Sequence, residues 1–254
     1  MFWKVVILST IAGAIGTGLG GLLGCLIKGN NKRTTSLLFS FAGGIMLGIV
    51  FFDLIPELMP LNRENLLLHF FLAIIGIAIG MFFVFVFNSQ IDKKLNLSKE
   101  LPIEKRNNKK YFLSGLAIFA SIALHNLPEG LVIGAGQLAE MGTVTTILIG
   151  IHNIPEGMAI ALPMKLSGTS TPKAVFYCIL SGMPTIFGAI IGYVVGGVND
   201  YIIKLCLGIA SGAMLAIVFC EMLPMATDFY QNKTVSAIAL IVGIIVAFGL
   251  VTFI

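Results

Sequence analysis

Eight stretches of about 20 or more predominantly apolar residues follow one another along this chain, most of them separated by short polar breaks. An α-helix needs a run of that length to cross a hydrocarbon core roughly 30 Å thick. The stretches lie at about 5–27, 36–59, 66–87, 111–137, 143–166, 174–198, 202–225 and 234–254. Of the 254 residues, 57% are hydrophobic and only 11% charged, against roughly 25% charged in a soluble domain. No soluble core of this length can absorb so much apolar surface. The expected class is an all-α polytopic membrane protein, one transmembrane domain over 1–254 with little outside the bilayer. The first run, with Lys4 ahead of it, has the look of a signal peptide. Its length to about Ile27 and its glycine pattern favour a first span instead. The 29 glycines suit the close approach of membrane helices. A net charge of +4 is too small to suggest a nucleic-acid partner. Cys25, Cys178, Cys206 and Cys220 show no Cys-x-x-Cys spacing and are expected to be reduced, small apolar residues.

The one long polar break, Asn88 to Lys110, holds Lys93, Lys94, Lys99, Lys105, Arg106, Lys109 and Lys110. It lacks apolar periodicity and is expected to be a loose loop. Cytoplasmic loops carry the excess of Lys and Arg. With this loop inside, Lys28, Lys32, Arg33, Lys165, Lys173 and Lys233 fall inside too. Only Lys4, Arg63 and Lys204 fall outside. Both termini are then expected to be extracellular.

Part of the sequence repeats. Gly44, Met46, Asp53 and Pro56 of the second span match Gly212, Met214, Glu221 and Pro224 of the seventh, each 168 residues on. Gly20 and Gly24 meet Gly188 and Gly192 at the same offset. Spans 1–3 and 6–8 therefore read as copies. Span 1 starts outside and span 6 inside, so the copies are inverted, as in many secondary transporters. Spans 4 and 5 are the insert of a 3+2+3 arrangement. Asp53 and Glu57 fall near the outer end of span 2, and Glu221 near the inner end of span 7. Acidic groups above and below a central site suit a route for cations. Glu57 reads equally as a solvated helix end, and Met46 and Met214 as core filler able to offer a thioether.

The insert carries the chemistry. His-Asn-x-Pro-Glu-Gly occurs as His125-Asn126-Leu127-Pro128-Glu129-Gly130 and again as His152-Asn153-Ile154-Pro155-Glu156-Gly157. Ionisable groups at membrane depth are costly and tend to mark ion paths. Residues i and i+4 share a helix face, so each histidine projects with its own glutamate. Two such helices facing each other gather two imidazoles and two carboxylates. That donor set suits Zn²⁺, Fe²⁺, Mn²⁺, Co²⁺ or Cd²⁺ better than Mg²⁺, Ca²⁺ or Cu⁺. Asn126 and Asn153 can add amide oxygens or orient the ligands. Pro128 and Pro155 take the helical donor from the carbonyls of Leu124 and Ile151, which frees oxygens beside each histidine. No Lys or Arg lies in a span core to balance Glu129 and Glu156. They must be protonated or neutralised by a bound cation, and protonating the same ligands would favour release. His69, at the start of span 3, reads as an interfacial residue.

With these motifs the chain resembles the ZIP family of zinc–iron permeases over its whole length. The resemblance implies a 3+2+3 bundle of eight helices with both termini outside and transport toward the cytoplasm. It also implies that His125, Glu129, His152 and Glu156 are the primary metal ligands, with Asn126 and Asn153 adjoining a second site and Met46 touching the first. Two positions depart from the family pattern. Thr185 stands where span 6 often has glutamate, and Asn153 where some members carry an acid. Both remove negative charge, which favours a single well-formed site.

The leading expectation is uptake of a divalent transition metal, zinc first, across the plasma membrane. The transported ion is substrate, and no prosthetic group is expected. The partners expected are that ion and the lipid bilayer, with a homodimer open to the chain. A rival class is an intramembrane metal-dependent hydrolase. It fits less well, because His-Glu-x-x-His and a further general base are both missing. A proton-coupled carrier of an organic solute is a third class.

Overall fold

The computed structural model describes the whole chain apart from residues 27–31, 60–64, 97–101, 137–141, 196–199, 231 and 254. Among the described residues there is no strand. Among the described residues eight helices are long and apolar enough to cross a membrane. They are α1 Phe2–Leu26, α2 Lys32–Leu58, α3 Leu66–Ile91, α4 Ile103–Ala135, α5 Thr146–Leu166, α6 Thr171–Val195, α7 Tyr201–Phe229 and α8 Lys233–Thr252. These are the eight expected spans. Lys28, Arg63, Lys99 and Gly196 lie outside the described residues, as do the expected span ends at 27, 137, 198 and 254.

The polar stretch 88–110 differs from the loose loop expected of it. Helix continues from α3 to Asn96 and resumes at Ile103. Extending an existing helix costs little, since each added residue gains a hydrogen bond. Lysine, arginine, glutamate and leucine all propagate helix well. Lys105 and Arg106 stay exposed on this extension, so no charge is buried by it.

Packing follows the inverted repeat. α2 packs on α8 and α7 on α3, while α1 packs on α5 and α6 on α4. Exchanging 1 with 6, 2 with 7, 3 with 8 and 4 with 5 leaves these pairings unchanged, as a pseudo-two-fold axis requires. Glycines make the crossings. A Cβ at Gly157 of α5 would land on the Thr17 carbonyl of α1, and one at Gly130 of α4 on the Thr185 carbonyl of α6. Gly13 and Gly182 face each other where α1 meets α6. Ser36 and Ser236 add a 3.1 Å hydroxyl contact between α2 and α8. α3 and α8 form the outer faces, with only 22% and 17% of their apolar windows buried.

Two wide turns also obey the symmetry. Val50–Leu54 in α2 and Val218–Met222 in α7 are π-helical. Pro56 and Pro224 follow each, and a proline denies the carbonyl four residues back its usual donor. A π turn is one way for a helix to absorb that loss. Asp53 and Glu221 occupy the same place in the two turns. A third π stretch, Ile11–Ile15 in α1, has no proline and no counterpart in α6. It adds one residue to α1. Thr17 pairs with Thr185 at an offset of 168, whereas Gly13 faces Gly182 at 169.

Two polar residues are more buried than their positions suggested. Lys204, sorted to the outer surface by charge, is only 7% exposed in the first turn of α7. His69 is also buried. Its Nδ1–H donates to the Asn65 carbonyl at 3.0 Å, and its ring lies 5.2 Å from that of Tyr201. The start of α3 and the start of α7 thus cover each other, a contact between distant segments.

Candidate metal centre

α4 and α5 run as helix through Pro128 and Pro155, which keeps each histidine one turn from its glutamate. The close crossings at Gly130 and Gly157 seat both helices against α6 and α1. As a result His125, Glu129, His152 and Glu156 meet in the interior, each at most 3% exposed.

The pairing is crosswise. His125 Nε2 lies 3.0 Å from Glu156 Oε1, and His152 Nε2 lies 3.1 Å from Glu129 Oε1. Within α4 the His125–Glu129 distance is longer, 3.9 Å. Ligand atoms of His125, Glu129 and Glu156 all fall within 4.8 Å of one another, and His152 joins through Glu129. Zinc bonds of about 2.0–2.2 Å set tetrahedral ligand atoms about 3.4 Å apart. Separations of 3.0, 3.1 and 3.9 Å bracket that value.

Proton placement favours a cation here. His125 Nδ1 lies 3.2 Å from the Ser121 carbonyl oxygen, which can only accept, so Nδ1 carries a proton. In the neutral ring Nε2 is then a lone pair, aimed at a carboxylate. Two acceptors 3.0 Å apart need a proton or a metal cation between them. A histidine whose far nitrogen donates to a carbonyl is the usual arrangement for a metal ligand. Glu129 Oε2, Glu156 Oε2 and His152 Nδ1 are buried without hydrogen-bond partners. The polar partners of both glutamates are imidazoles, with no lysine or arginine among them in the described residues.

The asparagines brace the helices. Asn126 Nδ2 donates to the Ser181 carbonyl of α6 and Asn153 Nδ2 to the Ala12 carbonyl of α1, each at 2.8 Å. Their Oδ1 atoms remain buried and unpartnered beside the histidines. Asn126→Ala and Asn153→Ala should each leave a buried carbonyl short of a donor, at a cost of about 1–3 kcal/mol. Thermal unfolding in detergent should show similar losses for the two variants, as their symmetric settings require.

Of the other candidates, Asp53 and Glu57 line a cavity of ≈ 70 Å³ that also touches Glu129 and His152. That is room for a few waters or a partly hydrated cation. It approaches the site from the end of α2 remote from Lys32 and Arg33. Glu221, half-buried in the π turn of α7, does not line it. Met46 is fully buried in the core, as is Met214. Thr185 is buried with its hydroxyl unpartnered. Sequence reasoning missed the Ser121 carbonyl as the orienter of His125, although its place four residues earlier on α4 could have suggested it. It also missed the walls supplied by Leu148, Ile149 and Leu207, which no local motif marks.

Comparison with known proteins identifies the family. Residues 91–254 match the family model of the ZIP zinc transporter. The chain is 31% identical over 255 residues to the zinc transporter ZupT of Chlorobium limicola, covering 96% of both chains. It is 30% identical to ZupT of Salmonella arizonae, covering 91% of this chain and 90% of that one. It is 29% identical to ZupT of Akkermansia muciniphila, covering 95% and 94%. Two inward-facing His-Asn-x-Pro-Glu-Gly helices, an inverted eight-helix bundle and these full-length matches lead to one assignment: the chain belongs to the ZIP zinc transporter family.

Proposed function

We propose that this protein carries divalent transition-metal cations across a membrane, zinc first among them, through the site formed by His125, Glu129, His152 and Glu156. The observation that carries this reading is the crosswise His–Glu pairing, buried with unpartnered carboxylate oxygens and, among the described residues, no lysine or arginine to balance it. The ZupT relatives are named for zinc, which supports zinc as the cargo. Fe²⁺, Mn²⁺, Co²⁺ and Cd²⁺ fit the same nitrogen and oxygen donors. Membership in a transporter family speaks for transport rather than enzymatic turnover and leaves the hydrolase reading without support.

The 254 residues act as one transmembrane unit in the cell membrane. The basic ends of the helices face the cytoplasm, both termini face outward, and transport runs inward. Asn126 and Asn153 offer their free Oδ1 atoms to the ion or its waters. The carbonyls of Leu124 and Ile151 add further oxygens. With Thr185 and Asn153 uncharged, one cation balances the two glutamates. Asp53 and Glu57 draw cations into the outer cavity, Met46 adjoins the site, and Glu221 serves the inner exit.

Vesicles containing the purified protein should accumulate Zn²⁺, and Cd²⁺ or Fe²⁺ should compete. Vesicles that take up no more of any of these ions than empty ones would refute the proposal. Asp53→Asn with Glu57→Gln should slow uptake at low zinc by roughly 10-fold, the scale of electrostatic attraction into a charged cleft. Zinc affinity measured at equilibrium on the detergent-solubilised variant should change far less than the uptake rate.

A further inference from the structure

A second polar cavity lies at the basic ends of α4 and α6. It is a cleft of ≈ 600 Å³ between the polar start of α4 and the turn that joins α5 to α6. The turn is preformed. Gly168 adopts φ +84°, and the amides of Gly168 and Thr169 donate back to the carbonyls of Lys165 and Met164 at 3.0 and 3.1 Å. Ser167 Oγ donates to the Met164 carbonyl at 2.6 Å and lies 2.8 Å from Thr169 Oγ1.

The lining is cationic. Lys109 comes from α4 and Lys173 from α6, with Thr169 and Ser170 also on the walls and no carboxylate among the described lining residues. One wall is aromatic, Phe112 edge-on to Tyr177 with ring centroids 6.3 Å apart. Beyond Lys173 the outer face of α6 turns apolar and exposed, with Phe176 60%, Ile179 39% and Leu180 41% accessible. A basic, hydroxyl-bearing cleft whose Lys173 and Tyr177 stand on the same helix as this apolar face matches an amphiphile with a negative head. Basic pockets between transmembrane helices bind phospholipid head groups on this principle.

We propose that this cleft binds the phosphate head group of an anionic phospholipid, with its acyl chains lying along Phe176, Ile179 and Leu180. Lys109 and Lys173 meet the phosphate, and the hydroxyls of Thr169 and Ser170 donate to its oxygens. A free phosphate would use the same cations but not the apolar face, and that face is the reason to assign a lipid. The proposal rests on the membrane-spanning fold and not on the transported ion.

Native mass spectrometry of the delipidated full-length protein tests it, with phosphatidylglycerol and phosphatidylcholine as probes. Phosphatidylglycerol should bind one molecule per chain more tightly than phosphatidylcholine. Lys109→Gln with Lys173→Gln should weaken it roughly 30-fold, which is about 2 kcal/mol at the strength of two lysines near an anionic surface. Lys109→Arg with Lys173→Arg should retain it. Lys105→Gln with Lys233→Gln, exposed and outside the cleft, should have little effect. Equal binding of the two lipids, or equal loss in the cleft and control variants, overturns the proposal. Inorganic phosphate that displaces phosphatidylglycerol as readily as a second phospholipid does overturns the lipid assignment. If the glutamine variant does not fold, the wild-type comparison and the arginine variant still decide.

Discussion

His125→Ala and Glu156→Ala should each lower zinc affinity by more than roughly 100-fold, beyond what loss of a ligand's outer partner costs, and abolish zinc uptake into vesicles. His152→Ala and Glu129→Ala should do the same, because the two halves of the site are related by the pseudo-two-fold axis. A side effect on stability separates ligand loss from misfolding. Each single substitution strands a buried partner, since Glu156 loses the imidazole 3.0 Å away when His125 is removed. Breaking a buried pair in this way costs about 3–5 kcal/mol. Removing both partners, His125→Ala with Glu156→Ala, should recover much of that stability and none of the uptake. Isothermal zinc titration, vesicle uptake and thermal unfolding of the same three variants read these quantities separately. Full uptake by either single variant contradicts the assignment of these residues as ligands.

The second large effect lies in the crossings that hold the site. Gly157→Val and Gly130→Val should prevent α5 from closing on α1 and α4 on α6, because even a Cβ at these positions runs into backbone carbonyls of Thr17 and Thr185. The obstacle is main chain, which cannot swing aside as a side-chain tip can. Gly157→Ala should already cost about 1–3 kcal/mol, the usual scale of overpacking, and the valine variants should fail to fold or melt far lower. Gly249 in α8 is the matched control. A Cβ there meets nothing within 4 Å, so Gly249→Ala should be neutral or stabilising by up to about 1 kcal/mol through helix propensity. Thermal unfolding in detergent distinguishes the two classes. Equal melting of Gly157→Ala and Gly249→Ala would show that these crossings do not hold the site together.

Much of this arrangement is legible in the sequence, and the limits are physical. Apolar run length announces the eight spans because lipid admits few alternatives. The repeat of α2 in α7 is visible because an acid followed three residues later by proline is rare in apolar helices, and the π turns before Pro56 and Pro224 are its consequence. The π stretch at Ile11–Ile15 carries no proline, and its one-residue shift appears only where Gly13 meets Gly182. Periodicity places His125 with Glu129 on one face, and both do reach the site. The closer partner of His125 is nonetheless Glu156 of the neighbouring helix. That choice depends on how α4 and α5 are set by glycine contacts with α6 and α1, which are long-range facts. The burial of Lys204 and His69 has the same origin. The helical turns beyond Phe87 and before Tyr111 escape an apolar-period search because that pattern ends at the membrane surface while the backbone helix continues.

X-ray absorption at the zinc edge of the purified, zinc-loaded protein tests the central claim most directly. The site described here predicts one zinc per chain in a shell of nitrogen and oxygen at about 2.0–2.2 Å, with imidazole scattering from two histidines. That signal should fall to one imidazole in His152→Ala loaded at saturating zinc. A sulfur shell at about 2.3 Å, or a spectrum unchanged in His152→Ala, would place the metal elsewhere and contradict the account.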